Sequence, residues 1–242
     1  NCYSAGMVLS QSESGAGGLV GLDSGFLHFC YSACNVKYSR FLGGFVGHAG
    51  ESIRRCFWDA QVQTAGVINS FKSGYPGLID ILKSLSTEEM FSKQTYRDAG
   101  WWFYGEPPTA EHPRAEGVWV INSGNDYPRL WWEQDPITTE ISIIPKMLRP
   151  NDSPTVTAKI LLPEGISFEM IDTQIPFTLL PGSVRTFQIS FVDENDKQTV
   201  LTEFDKNAVI DIFSPSGETE LTVFTVLRDG RILTGSSTVS TK

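Results

Sequence analysis

The chain has 242 residues, of which 40% are hydrophobic and 19% charged, and a formal net charge of -9 from 28 acidic and 19 basic residues. That balance describes a globular chain and excludes a disordered one. Up to Pro136 there are 10 basic and 14 acidic residues, and 9 and 14 after it, which leaves no basic face for nucleic acid and no acidic tail. No apolar run approaches the ~20 residues that span a bilayer, so no membrane insertion is expected; nor is there a signal-peptide pattern, and that bears on neither location nor processing.

The first sixty residues repeat themselves. NCYSAG (Asn1 to Gly6) returns as FCYSAC (Phe29 to Cys34) and more loosely as RCFWDA (Arg55 to Ala60). Cys2 to Cys30 is 28 residues and Cys30 to Cys56 is 26; GGLVG at Gly17 and GGFVG at Gly43 are likewise 26 apart. Two landmarks sharing one such period mark a solenoid, propeller or array. Short apolar bursts between Gly and Ser predict short strands with tight corners, where glycine supplies conformations that other residues resist. Stacked in parallel, such units set like on like. Gly17, Gly18 and Gly21 stand over Gly43, Gly44 and Gly47. Cys2, Cys30 and Cys56 form one rung and Tyr3, Tyr31 and Phe57 the next. Rungs alternate faces, and the cysteine rung is expected inward.

The four cysteines, Cys2, Cys30, Cys34 and Cys56, do not have zinc-site spacing or histidine partners. Free, buried, stacked thiols are the favoured reading and a disulfide framework the alternative. Farther along, SLSTEEMFSKQ has Ser86 and Glu89 in capping-box spacing, predicting a short helix from Thr87 to Lys93 with Met90 and Phe91 as core contacts. Trp101, Trp102, Phe103, Trp119, Trp131 and Trp132 then read as an aromatic cluster capping the last repeat. A Pro-rich insertion, Glu106 to Glu116, interrupts this stretch and is expected to be exposed.

NCYSAG with GGLVG resembles the GLUG repeat of long, secreted bacterial surface proteins. The landmarks that close such arrays are also similar: Cys56-Phe57-Trp58-Asp59, Thr87-Glu88-Glu89-Met90, Gly100-Trp101, Trp119-Val120-Ile121 and Tyr127-Pro128-Arg129-Leu130-Trp131. The resemblance covers residues 1 to 133. It implies a right-handed parallel β-helix at the cell surface and does not imply an enzymatic activity. Solenoid ends expose strand edges unless capped. A repeat that begins at Asn1 with no lead-in is therefore expected to be the tail of a longer solenoid, residues 1–10 being covered by the rest of a parent chain or by another subunit.

After Pro136 glycine thins and cysteine vanishes. Seven strands are predicted from EISIIP, TVTAKILLP, TFQISFV, QTVLTEF, AVIDIF, ELTVFTVL and RILTGSSTV, spaced as in a β-sandwich. LRDGR, Leu227 to Arg231, suits a tight primed hairpin turn. The pieces LPEGI, FDKNAV and ELTV…LRDG…GSSTV resemble C-terminal Ig-like domains of secreted bacterial proteins. The expected fold is all-β: a parallel β-helix fragment with an aromatic C-terminal cap over residues 1–136, then an Ig-like β-sandwich over 137–242.

Chemistry is hard to find. His28, His48 and His112 are scattered, and no zinc-peptidase, nucleophile-elbow or phosphate-loop motif occurs. Asp23 and Glu51 fall at different repeat offsets, and Asp59 belongs to the closing motif. VDENDK offers Asp193, Asn195 and Asp196 as calcium-type oxygens without the closing bidentate Glu, and a plain hairpin turn is preferred. No catalytic, cofactor or metal residue is assigned. The expectation is a non-enzymatic extracellular or cell-surface protein, structural or adhesive, that assembles through its open solenoid end. The alternative is a polysaccharide-binding or polysaccharide-cleaving β-helix whose groove lies in coils outside this chain, with a surface glycan as partner and the tryptophans as sugar platforms.

Overall fold

A computed structural model describes every residue except 11–14, 24, 38–41, 50–52, 64–78, 111–116, 150–152, 195–196, 213–216 and 242. The fold is all-β, with three short α-helices among the described residues. It divides into two compact units. One comprises Asn1–Trp101 with Ser123–Tyr127, and the other Trp102–Asn122 with Pro128–Lys242. The second unit thus takes in residues that precede Pro136, because the chain passes between the units three times.

In chain order the first unit contains β1 (Cys2–Leu9), β2 (Ala16–Gly17), β3 (Val20–Asp23), β4 (Leu27–His28), β5 (Cys30–Lys37), β6 (Leu42–Gly43), β7 (Val46–Ala49), β8 (Ile53–Asp59) and β9 (Ile79–Leu85). Helices α1 (Thr87–Met90) and α2 (Lys93–Asp98) follow. Every strand pair in this unit is parallel: β1 with β5, β5 with β8, β8 with β9, β4 with β8, β2 with β6 and β3 with β7. The register sets repeat on repeat, with Cys2 opposite Cys30, Tyr3 opposite Tyr31, Tyr31 opposite Phe57 and Gly17 opposite Gly43.

Strand β9 continues the same ladder, with Leu82 opposite Cys56 and Lys83 opposite Phe57. The step from Cys56 to Leu82 is again 26 residues, but IDILKSL carries neither the cysteine nor the glycines by which the repeat was found. Its spacing alone could have revealed it. The predicted helix is two helices. The Ser86–Glu89 capping box is present, α1 ends at Met90, and α2 begins at Lys93.

The glycines are needed for a reason other than the one expected. None of Gly17, Gly18, Gly21, Gly43, Gly44 and Gly47 has a left-handed backbone. The left-handed positions of this unit include Gly6, Gly15 and Gly100 together with two non-glycine residues, Phe29 (φ 53°) and Arg55 (φ 54°), each of the latter immediately before a ladder cysteine. What the glycines supply is room. A Cβ on Gly43 would lie 1.8 Å from the Val46 carbonyl oxygen, and one on Gly44 2.3 Å from Trp58 Cδ1.

Inside this unit Cys30 and Cys56 pack with Phe45, Ile53 and Trp58. The neighbouring rung faces the other way, yet Tyr31 and Phe57 are buried as well. Tyr96 of α2 covers both edge-on, with ring centroids 6.5 and 5.4 Å away.

The second unit contains β10 (Trp119–Val120), β11 (Arg129–Leu130), β12 (Ile137–Thr138), β13 (Ile141–Ile144), β14 (Met147–Leu148), β15 (Thr155–Leu161), β16 (Thr178–Leu180), β17 (Val184–Arg185), β18 (Gln188–Glu194), β19 (Lys197–Asp205), α3 (Lys206–Ile210), β20 (Gly217–Val226) and β21 (Ile232–Thr241). One sheet runs β12-β21-β20-β16-β17, with β14 also on β21, and another runs β13-β15-β19-β18. Both contribute to a single core, in which Ile143, Val156, Val200 and Phe204 meet Leu179, Leu221, Val223 and Leu233.

Six of the seven predicted strand segments are strands. AVIDIF instead begins inside α3, because the Asp205 carboxylate caps it by accepting a hydrogen bond from Ala208 N at 2.9 Å. The LRDGR turn also differs from expectation. Asp229 is not left-handed and Gly230 is (φ 84°), and Leu227 N donates to Arg231 O at 2.8 Å. This is an ordinary turn closed by a glycine bulge, not a primed turn.

Gly21 and Gly47 occupy equivalent repeat positions but different surroundings. A Cβ on Gly47 meets the Gly21 carbonyl oxygen at 2.7 Å, whereas one on Gly21 meets nothing nearer than 3.7 Å. Gly47→Ala is expected to cost about 1–3 kcal/mol by overpacking and Gly21→Ala well under that, as read by denaturant titration.

Candidate functional site

Three landmarks that lie far apart in sequence meet on one carboxylate. Asp59 ends β8 with only 1% of its surface exposed. Its Oδ1 accepts hydrogen bonds from Gln61 N at 2.7 Å and Val62 N at 3.1 Å, which turns the chain out of the ladder as Asx side chains do. Its Oδ2 accepts from Thr87 Oγ1 at 2.6 Å and Tyr127 Oη at 2.7 Å. A buried carboxylate is tolerated only when its acceptor sites are filled, and four donors fill these. Sequence reading placed Asp59 in the closing motif without giving it a partner. The partners come from 28 and 68 residues away, a separation that no local pattern encodes.

Gln63 completes the exit from the ladder. Its Oε1 accepts from Val36 N at 2.6 Å, so a side chain takes over the backbone pairing where β8 has ended. Around this clasp the aromatic rings interlock. Tyr127 stacks on Tyr31 at 5.8 Å, and Tyr31 stacks on Tyr3 at 5.1 Å. Trp101 packs on Tyr96 at 4.8 Å and on Phe57 at 5.9 Å, and its indole N–H donates to the Arg55 carbonyl at 2.8 Å. Burial, together with the negative charge of Asp59, raises the Tyr96 and Tyr127 hydroxyls above the ordinary value of 10.

At the other side of the ladder, β1 pairs with β5 and with no second strand among the described residues. Met7 and Leu9 on it are 60% and 63% exposed. The thiols of Cys2, Cys30 and Cys56 run inward from this edge. Cys2 Sγ lies 3.4 Å from Cys30 Sγ, Cys30 Sγ donates to His28 O at 3.1 Å, and Cys56 Sγ donates to Arg54 O at 3.2 Å. All four cysteines are free thiols. The middle thiol is the one that its neighbours stabilise as thiolate. Hydrogen bonding from Cys56, then the charge of the amino terminus and hydrogen bonding from Cys2, lower Cys30 against its burial, while burial and the charge of Cys30 raise Cys2.

The tryptophans expected to form one cap are split. Trp101 belongs to the first unit; Trp102, Phe103, Trp119, Trp131 and Trp132 belong to the second. There Trp131 stacks on Tyr104 at 4.7 Å and Tyr104 on Phe224 at 5.3 Å. The reason is connectivity, since the chain changes unit between Trp101 and Trp102.

His28 is exposed on β4, and His48 lies opposite Leu22 in the β3–β7 pair. Glu51, His112, Asn195 and Asp196 fall outside the described residues, as does most of the Pro-rich insertion. Among the described residues no group of three His, Cys, Asp or Glu is placed to hold a metal ion. No described helix is long and apolar enough to cross a membrane. A groove of about 490 Å³ on the second unit is lined by Glu140, Ser142, Lys159, Lys197 and Thr199, with Ile141 and Leu161. Neither a histidine, a cysteine nor a pair of carboxylates lines it.

Asp59→Asn turns an acceptor into a donor facing donors and is expected to cost about 1–3 kcal/mol. The two raised tyrosines set a pH limit. Their contribution is complete below pH 10, the ordinary tyrosine value, and is lost as pH rises above it, because the unfolded chain ionises first. Urea titrations from neutral to strongly alkaline pH should show that decline, and Tyr127→Phe should flatten it. Comparison with known proteins finds no matching family model, curated protein or solved structure.

Proposed function

We propose that this chain is a non-enzymatic structural or adhesive protein of the extracellular or cell-surface space. On this reading the first unit is the closing end of a right-handed parallel β-solenoid of the GLUG-repeat kind. The second unit is an Ig-like β-sandwich that serves as a spacer or assembly module. The observation that carries the reading is that β1, at the end of an in-register parallel ladder, pairs among the described strands with β5 alone. Such an edge is a template for one more strand of the same kind. The occupant is a further coil of the same repeat, supplied by a longer parent chain or by a second subunit. It would add its backbone to β1 and its side chains to the Cys2 and Tyr3 rungs.

The acid that the closing motif carries supports a structural role, since the contacts of Asp59 are taken up by the clasp. Glycan binding is the second reading, and one observation favours it. Trp132 is 55% exposed and sits edge-on to Trp131 at 5.9 Å, leaving indole surface on which a sugar ring can stack.

Sedimentation equilibrium tests edge assembly. The chain should associate with rising concentration, and Met7→Lys with Leu9→Lys should abolish association while leaving the thermal unfolding midpoint within a few degrees, because edge lysines block strand addition. A wild-type chain that stays monomeric at every concentration removes the second-subunit form of the proposal. Binding on a glycan array that Trp132→Ala eliminates would favour the second reading instead.

A further inference from the structure

We propose that Cys2 and Cys30 form a redox-controlled disulfide that staples the outer strand β1 to β5, with a low-molecular-weight disulfide such as oxidised glutathione as the oxidant. This goes beyond the assembly reading and stands on geometry that holds whether or not β1 recruits a partner.

The two residues are register partners in a parallel pair. Neighbouring strands lie about 4.8 Å apart, inside the roughly 4.4–6.8 Å Cα separation that a disulfide accepts. Their sulfurs already lie 3.4 Å apart. Access decides which pair reacts. Cys2 is exposed, whereas Cys30, Cys34 and Cys56 are buried, so a dissolved oxidant reaches Cys2 first.

The reaction balances in two steps. Cys2, the thiol that the oxidant can reach although its ionisation is raised, loses its proton and its sulfur attacks one sulfur of the oxidant; a Cys2–glutathione bond forms, the oxidant's own S–S bond breaks, and the glutathione thiolate that leaves takes up the proton. Cys30, held toward the thiolate form by hydrogen bonding from Cys56, then attacks Cys2 Sγ. The Cys2–Cys30 bond forms, the mixed disulfide breaks, and a second glutathione thiolate departs. Two cysteines are oxidised, one glutathione disulfide is reduced to two thiols, and the two cysteine protons end on those thiols. Reduced glutathione runs the sequence backwards.

The test treats the folded 242-residue chain with oxidised glutathione, alkylates the remaining thiols and maps disulfide-linked peptides by mass spectrometry. The expected product is a monomer lighter by two hydrogens, with two alkylatable thiols in place of four and the Cys2 and Cys30 peptides joined. Cys30→Ser should stop at a glutathione adduct on Cys2, and Cys34→Ser should behave as wild type. Cys2→Ser, at an exposed position, should keep the fold by circular dichroism and lose the reaction. Hydrogen exchange of β1 amides should slow in the oxidised chain. A Cys30–Cys56 link, a Cys2–Cys2 dimer, or four free thiols after treatment would each overturn the proposal.

Discussion

In-register parallel stacking is the constraint on which the first unit rests. Once strands lie side by side with a fixed offset, every residue meets its counterpart one repeat on. Where the repeat is kept, its size and polarity must therefore suit a copy of itself. The pairs Cys2 with Cys30, Tyr3 with Tyr31 and Gly17 with Gly43 are consequences of that rule. Small polarizable thiols tolerate self-stacking in a narrow interior, and rings tolerate it by lying flat on one another, as Tyr3 and Tyr31 do with 9° between their planes. Gly17, Gly18, Gly43 and Gly47 stand where a Cβ would enter the backbone of its own corner or of the next.

A ladder of this kind has no intrinsic stop. Among the described residues β9 is the last strand that the ladder adds, and the Asp59 clasp ties the chain that follows β9 back onto β8. Its Oδ1 draws the backbone out of register, Gln63 takes over the bond to Val36, and Oδ2 gathers α1 and the 123–127 segment. Burying a carboxylate is costly unless its partners are arranged in advance. Here they are held from several directions: by the capping box of α1, by the bond from Gly124 N to Phe91 O at 2.8 Å, and by the stacked rings of Tyr31 and Tyr127. The clasp is therefore a point where several local preferences agree.

The legible and illegible parts of this chain divide along the same physical line. Whatever repeated was readable: the 26-residue spacing, the cysteine and aromatic rungs, and the alternating strands of the second unit. What depended on a single side chain meeting a distant one was not. Nothing local to Asp59 points to Tyr127, and nothing local to Trp101 and Trp102 says that adjacent tryptophans join different units. AVIDIF misled because a short apolar run suits a strand or a single helical turn equally, and the deciding cap, Asp205, lies outside it. Strand β9 kept the spacing but lost the residue types, so a search by residue identity passed over it.

The two proposals meet on β1. An edge strand paired on one side only is held by half the hydrogen bonds of an internal strand, and it opens more readily. A template that frays recruits poorly, since an incoming strand must first pay the entropy of ordering it. A bond from Cys2 to Cys30 would lift that penalty by fixing the near end of β1 in the register that the ladder requires, without touching Met7 or Leu9 at its far end. The same bond would consume the exposed thiol and so prevent random cross-linking between edges. Oxidation and strand addition would then act in one direction: the conditions that form the staple would also present β1 as an ordered edge, and reducing conditions would leave it frayed.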